Sequence, residues 1–447
     1  MKKIILIPST SDVNRGDQAL IWESIRVIQE VYEGFTYDIK LISPSEREMN
    51  AGAVRQTVDS FGLEYIDPIL KHPNRFFNRR AENNVDYGFI GYLEFGLIAL
   101  TDLLRSIFLI VPFHFINKIG LCLYSVKAKE SYNLFRDSDA VFVKGGGFIH
   151  SYGGLSDFYR LYYLLFLVLI SIRFKKKIFV LPNSIGPLRN KLAYFLVKRV
   201  LKKCTMITVR ESISENFVSK NLSLPVKAFY DFGYYLTQNI NFDPKKYLDK
   251  RISSNKQIVG ITLRPDRTLL RPGNSSKYDN YIQSFVDLVK YLNNKNFHVC
   301  FFAHTLGPSA NENDSLAIQA VIQALPRHSD FSYIIDPTLS CKETMMLYSQ
   351  CYYFIGTRFH SVIFAQNMGV PTIAISYGGN KGEGIMRDLG LSEFVIQMSD
   401  ISSKKLIDVF DKLVQQKDSY VELLNKHKKL ITSNRISLID EIRTMID

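Results

Sequence analysis

The chain has 447 residues, 46% of them hydrophobic, enough to bury a sizeable core and to fold as about two domains. Its 56 Lys and Arg outnumber 43 Asp and Glu, and the resulting charge of +13 suits acidic partners: nucleic acid, an anionic membrane or phosphorylated small molecules. No zinc-finger, RRM or basic-zipper pattern is present, so nucleic acid ranks last; five scattered cysteines without a CxxC pair argue against structural zinc and a disulfide framework.

Residues 4–8 read as a first strand, since the apolar run after Lys2-Lys3 stops at Pro8. The run is too short for a signal-peptide core. It enters the polar loop 9–18, and a helical pattern follows over 19–31. A Gly-bearing loop between strand and helix is where α/β proteins hold ligands. Within it Asn14 and Asp17 suit hydroxyl groups, and Asp17 is either a proton acceptor or the helix N-cap. Residues 39–43 and 65–69 read as further strands. Residues 71–80 are basic with Phe76 and Phe77 interleaved, a pattern that suits a membrane surface or an anionic chain and suits a solvated loop at least as well. Two helical stretches follow, up to Arg136. Residues 87–124 are strongly apolar, interrupted by Glu94, Asp102 and Arg105, and the run 161–172 is too short to span a bilayer and reads as a buried core helix.

A strand at 139–143 opens into Lys144-Gly145-Gly146-Gly147-Phe148-Ile149-His150. Three glycines let the backbone approach a ligand closely, and His150 is a candidate ligand group; no GK[ST] follows, so the run is not a P-loop. The strand 177–181 ends at Pro182-Asn183-Ser184, the strand 206–209 ends at Arg210-Glu211, and a further strand lies near 226–230. After a polar stretch the alternation restarts, with 258–263 ending at Arg264, 299–303 at His304 and 333–335 at Asp336. The expected organisation is an N-terminal lobe 1–238, a linker 239–257, a C-terminal lobe 258–402, and helices 403–447 packing back toward the first lobe. Strands alternating with helices imply parallel sheets with right-handed crossovers. The fold class expected is α/β, with two Rossmann-like lobes and a cleft between them.

The most informative stretch lies in the second lobe. Residues 352–355 form an apolar strand, Gly356-Thr357-Arg358-Phe359-His360-Ser361 a tight turn, and 361–368 a helix stopped by Gly369 and Pro371. Arg358 and His360 thus fall at a helix start beyond a strand's carboxyl end, against oriented amides. Arg is a planar two-pronged donor for carboxylate or phosphate, and His exchanges a proton near neutral pH. The structural alternative is an Arg paired with a carboxylate and a His capping a helix.

In this order Asn14-Arg15-Gly16-Asp17, Gly145-Gly146-Gly147, Ser184-Ile185-Gly186-Pro187, Arg210-Glu211, Gly356 to Ser361, and Tyr377 with Lys381 resemble the polysaccharide pyruvyl transferase family over most of the chain. Asn183, Lys144 and the aromatic run after Gly147 depart from the expected pattern. The resemblance implies a GT-B-like fold. It also implies transfer of the enolpyruvyl unit of phosphoenolpyruvate to a sugar of a surface polysaccharide, or of its lipid-linked precursor, to leave a pyruvate ketal. A donor with a carboxylate and a phosphate needs cations and amides, which Arg358, Arg210, Arg264 and Lys381 can supply, with His304 and Gly356 beside them. His360 is the expected acid, with His150 or His304 as substitutes, and Asp17 takes the hydroxyl proton. The acceptor is expected against Asn14, Asp17, Gly145, Gly146, Gly147, His150 and Asn183. Neither metal nor cofactor is expected.

Two rival readings remain: a GT-B glycosyltransferase that holds a nucleotide ribose through Glu383, and a non-catalytic glycan- or lipid-binding protein of envelope assembly. The expected location is the cytoplasm, with reversible adhesion to the inner membrane face through the basic clusters 71–80, 173–177 and 198–203.

Overall fold

A computed structural model describes residues 1–9, 11–44, 55–71, 88–252, 255–265, 275–307, 312–377 and 380–446. The first sheet comprises β1 (Lys2–Ile7), β2 (Tyr37–Ile42), β3 (Glu64–Ile66), β4 (Ala140–Val143), β5 (Gly146–Ser151), β6 (Lys177–Leu188), β7 (Met206–Val209) and β8 (Lys227–Ala228). Their spatial order is β3-β2-β1-β4-β6-β7-β8, with β5 alongside β6, and every pairing is parallel. The second sheet contains β9 (Ile258–Thr262), β10 (His298–Phe302), β11 (Phe331–Ile334), β12 (Tyr353–Gly356), β13 (Thr372–Ser376) and β14 (Val395–Gln397). It is also all parallel, in the order β11-β10-β9-β12-β13-β14. Helices cover both faces of each sheet, which is why central strands such as β4 and β12 are buried along their whole length and read as unbroken apolar runs.

The lobes share a wall. The helix Arg15–Val31 puts Leu20, Ile21 and Ile25 into the core of the first sheet, while its Ala19 and Trp22 pack with Met345, Tyr348 and Phe364 of the second lobe. Its start is stitched to the far side by main-chain bonds: Arg15 N donates to His304 O (3.1 Å) and Leu306 N to Val13 O (2.9 Å). The buried Arg15 guanidinium donates to Asp12 O (2.6 Å) and to Pro337 O (2.8 Å), joining one lobe to the other.

Four expectations change. The strand expected at 177–181 continues through Pro182 and Asn183 to Leu188, because register shifts around 180–183 and along its pairing with β5 absorb the proline. The triglycine run is a loop only at Gly145, since Gly146 already begins β5. The stretch between the sheets carries a short helix, Pro244–Asp249, with Asp243 as N-cap and proline in the first turn. The C-terminal segment is two helices. Ser403–Gln415 stays on the second lobe through Leu406 and Phe410, whereas Lys417–Ile446 returns to the first lobe and buries Leu438, Ile439, Ile442 and Ile446 there. Among the described residues, no helix is long and apolar enough to cross a membrane.

Candidate functional site

The loops at the carboxyl ends of β1, β4, β7, β10 and β12 converge on one cavity of about 340 Å³ between the lobes. One wall is polar, with Asn14, Asp17, Lys144, Arg210, Arg358 and His360. The other is apolar, with Ile42, Leu70, Phe148, Leu164, Phe166 and Leu167.

Asn14, not Asp17, caps the Arg15–Val31 helix: its side chain accepts from Gly16 N (3.0 Å) and Asp17 N (3.3 Å). That leaves the Asp17 carboxylate turned to the cavity, where it receives Asn14 Nδ2 at 3.2 Å and pairs with the nearly buried Lys144 Nζ at 3.2 Å. Lys144, unusual in the sequence, is therefore the charge partner of the expected base. Gly16 between them has a separate function: a Cβ there would lie 2.4 Å from His360 Nδ1. Glycine lets the histidine of one lobe rest on the backbone of the other.

Arg358 is the N-cap of the Phe359–Asn367 helix rather than a residue of its first turn. Its Nε donates to Asp314 Oδ1 at 2.8 Å, and Nη2 lies 2.7 Å from the same oxygen without forming an aligned hydrogen bond. Asp314 is itself fixed by His304 N (3.0 Å) and Thr305 N (2.9 Å). Burial raises its carboxyl, and Arg358 with those amides works against that rise. One edge of the guanidinium is thus occupied, and the other is the edge a ligand can meet.

Arg210 and His360 share Asp231, which caps the short Phe232–Tyr235 helix by accepting from Gly233 N at 2.7 Å. Arg210 donates to Asp231 through Nη1 and to Ser184 Oγ through Nε at 2.8 Å. His360 Nε2 lies 3.7 Å from Asp231 Oδ1, an ion-pair distance too long for a hydrogen bond. Burial alone would raise the Asp231 carboxyl; Arg210 first and His360 second hold it well below the usual carboxylate range. Asp231 and Asp314 escaped the sequence reading. Each is an acidic residue at the start of a helix, but nothing local tells which distant cation it meets.

His304 lines the cavity but is almost wholly buried, with Nδ1 3.1 Å from the Tyr348 hydroxyl. Burial, followed by the fields of His360, Arg358 and Arg15, pushes its pKa well below the ordinary histidine value. It is neutral at physiological pH, which removes it as a cation for the donor and as a substitute acid. Among the described residues, Arg210 Nη2, His304 Nε2 and His360 Nε2 are buried beside the cavity without a hydrogen-bond partner.

The other expected site residues divide between the cavity wall and the layers behind it. Gly356 is packed under the Phe359–Asn367 helix, where a Cβ would stand 2.5 Å from Val362 Cγ2, so its contribution is close packing rather than donor contact. Gly146 and Gly147 line the cavity, whereas Gly145 sits against Pro182 O, 2.9 Å from its absent Cβ. Asn183 is fully buried and donates to Lys144 O (2.9 Å) and Leu181 O (2.8 Å); it ties β4 to β6 and does not reach the cavity. His150 lies off the cavity wall, its ring beside Tyr152. Arg264 is one layer back, stacked at 3.7 Å over the ring of Tyr377, which does line the cavity. Lys381 belongs to the Asn380–Asp388 helix, and its side chain lies outside the described residues.

The polysaccharide pyruvyl transferase family model matches residues 14–379, which take in the cavity-lining residues from Asn14 to Tyr377. The chain belongs to the polysaccharide pyruvyl transferase family. Among its relatives is the amylovoran biosynthesis protein AmsJ of Erwinia amylovora, 25% identical over 312 residues, covering 67% of this chain and 70% of AmsJ. In fold, this pyruvyl transferase family member resembles UDP-GlcNAc 2-epimerase from Neisseria meningitidis, with a TM-score of 0.59 at 12% identity over 99% of both chains. It also resembles HepE of Anabaena, with a TM-score of 0.53 at 11% identity over 99% of this chain and 98% of that one. The architecture is GT-B-like: two parallel α/β domains facing a common cleft.

Proposed function

We propose that this member of the family transfers the enolpyruvyl unit of phosphoenolpyruvate to two hydroxyls of a saccharide in surface-polysaccharide assembly. The observation that carries the reading is the convergence of Lys144, Arg210, Arg358 and His360 on one cavity between the lobes. Clustered cations in a largely closed cleft call for an anion rich in oxygen atoms. A small donor bearing a carboxylate and a phosphate fits that demand.

In the proposed reaction His360 delivers a proton to the methylene carbon, and the carboxylate of Asp17 takes the proton of the attacking hydroxyl as its oxygen bonds to C2. A second hydroxyl then bonds to C2 while the bond from C2 to the phosphate oxygen breaks. Inorganic phosphate leaves with the second proton, and the product is a cyclic ketal. Asp231, neutralised by Arg210, holds the field at His360, and Lys144 keeps Asp17 in place. The reading as a nucleotide-sugar glycosyltransferase relied on Glu383, which is exposed on its helix and absent from the cavity wall.

Thermal melting with phosphoenolpyruvate, UDP and GDP tests the donor, because a ligand that binds only the folded state raises the melting temperature. Stabilisation by phosphoenolpyruvate alone is expected, together with phosphate release when a saccharide acceptor is added. Stabilisation by a nucleoside diphosphate and indifference to phosphoenolpyruvate would replace this reading with the glycosyltransferase one. The prospective lipid-linked acceptor is tested by comparing free and lipid-linked saccharides in the same phosphate assay.

A further inference from the structure

The helix Gly88–Ile110 carries its apolar residues on the wrong side for a globular protein. Ile90, Leu93, Leu97, Leu100, Leu104 and Ile107 recur every three or four residues, as a single helical stripe does, and all six are exposed, Leu97 by 66%. The opposite face is the one turned inward, with Ala99, Asp102, Ser106 and Leu109 buried. The next helix, His114–Cys122, extends the patch with Phe115 (74% exposed) and Ile119, and Phe113 and Leu123 flank it. The two helices form a rigid hairpin: Asn117 Nδ2 donates to Phe108 O (2.7 Å) and Val111 O (3.0 Å), and Gly120 leaves no room for a Cβ beside Phe108. An exposed apolar surface of this extent marks a site of association.

We infer that this hairpin is the face with which the protein sits on an anionic phospholipid bilayer, lying in the interface with its apolar stripe below the headgroups. Three observations favour a bilayer over another protein. First, cations border the patch: exposed Lys71, Lys118 and Lys127, the last 4.0 Å from Asp67, with Glu94 an exposed carboxylate on the helix itself; residues 72–80, basic in sequence, lie outside the described residues. Second, a cleft of about 210 Å³ at the edge of the hairpin is lined by Lys71, Arg105, Tyr124 and Ser125 together with the carboxylate of Asp102, so two cations and two hydroxyls face a polar headgroup there against one acid. Third, the patch adjoins the cavity. Pro68 and Leu70 line both the cleft and the cavity. The helix Leu155–Arg173 meets the hairpin through Tyr162, whose hydroxyl is 2.7 Å from Ser106 Oγ, and lines the cavity with Leu164, Phe166 and Leu167. The apolar cavity wall is therefore one helix away from the proposed bilayer, where an amphiphilic acceptor is held. Only that last step rests on the pyruvyl-transfer reading.

Vesicle flotation tests the surface without reference to the donor. The chain should float with vesicles of phosphatidylglycerol and phosphatidylcholine. The double variant Leu97→Glu/Leu104→Glu should lose at least about tenfold in partitioning, because both positions leave the acyl boundary. Both positions are exposed, so the variant should keep its melting temperature and its response to phosphoenolpyruvate, and a variant that melts early is replaced by Leu97→Ser/Leu104→Ser. Retained flotation by a well-folded variant, with complete loss in high salt, would assign binding to the basic clusters alone and overturn the proposal. A wild-type dimer that ignores vesicles and becomes monomeric in the variant would instead assign the face to a second copy of this chain. Absence of flotation with a monomer would also overturn it. None of these outcomes alters the phosphoenolpyruvate measurement, so the two readings fail separately.

Discussion

Arg358 is held in place by Asp314 on one edge of its guanidinium, so a cation there has to serve a protein carboxylate and a ligand at once. Lysine is a point donor on a flexible stem and cannot span both. Arg358→Lys should abolish most turnover and most of the donor-induced melting shift, and near-wild-type values in both would make the residue structural. His360→Ala should lower kcat by about 10²–10⁴-fold, the range for a lost general acid, with a smaller change in KM. A change confined to KM would make His360 a binding residue. His304 gives a pH prediction. Its folded pKa lies well below 6.5, under burial and the facing groups His360, Arg358, Arg15 and Tyr348. Below about pH 6.5 the unfolded chain therefore takes up a proton that the folded chain refuses, and stability falls by up to about 1.4 kcal/mol per pH unit. Denaturation between pH 7.5 and 5 should show this slope, and His304→Gln should reduce it; an unchanged slope would place the titration elsewhere. Arg210, Arg358, His304 and His360 stand at strand ends in the sequence and all line the cavity, but so does Lys144, read only as a departure from the pattern, whereas Arg264 and His150, also expected there, do not. Asp231 and Asp314 were not legible: Asp314 lies 44 residues before Arg358, and a single sequence carries no signal of such a pairing.

Strand, glycine turn and helix at 353–367 could be read directly, since an apolar run, a Gly and a 3.6-residue pattern follow one another without conflict. The role of the glycines was less accessible. Gly356 looks like a ligand-loop glycine, yet it is small because Val362 of the following helix packs on it. Gly356→Ala should therefore destabilise the fold by about 1–3 kcal/mol, the usual penalty of overpacking, as read by chemical denaturation. Gly16→Ala should behave differently. Its Cβ would collide with the His360 ring, which is 15% exposed at the cavity and able to turn aside. Activity should fall far more than stability; a variant that loses stability and keeps specific activity would show that Gly16 serves lobe packing instead. β6 was misjudged because Pro182 and Gly186 both signal a turn, and only pairing with β5 and β7 reveals the extended backbone through them.

Two alternating strand–helix series in one chain already imply two parallel sheets, but the means by which the lobes are joined depends on contacts distant in sequence. The amphipathic pattern of the last helix says that one face is buried, not against what. It crosses to the first lobe, where Arg435 donates to Glu23 Oε1 (2.6 Å) and to both oxygens of Glu30 (2.7 Å each). Glu23 is fully buried; burial raises its carboxyl, and Arg26 and Arg435 oppose that rise. Arg435→Met keeps the apolar stem and removes the charge, so Glu23 is left in a dry environment with Arg26, 3.2 Å away, as its remaining ionic partner. Removing one member of a buried pair costs about 3–5 kcal/mol, and the retained Arg26 should bring the loss toward the lower end. Glu23→Gln in the same background removes the stranded charge and should recover most of the loss, whereas additive losses in the double variant would mean that Arg435 acts mainly through Glu30. Because the helix spans both lobes, the single variant should also separate one cooperative unfolding transition into two, visible as non-coincident fluorescence and circular-dichroism curves.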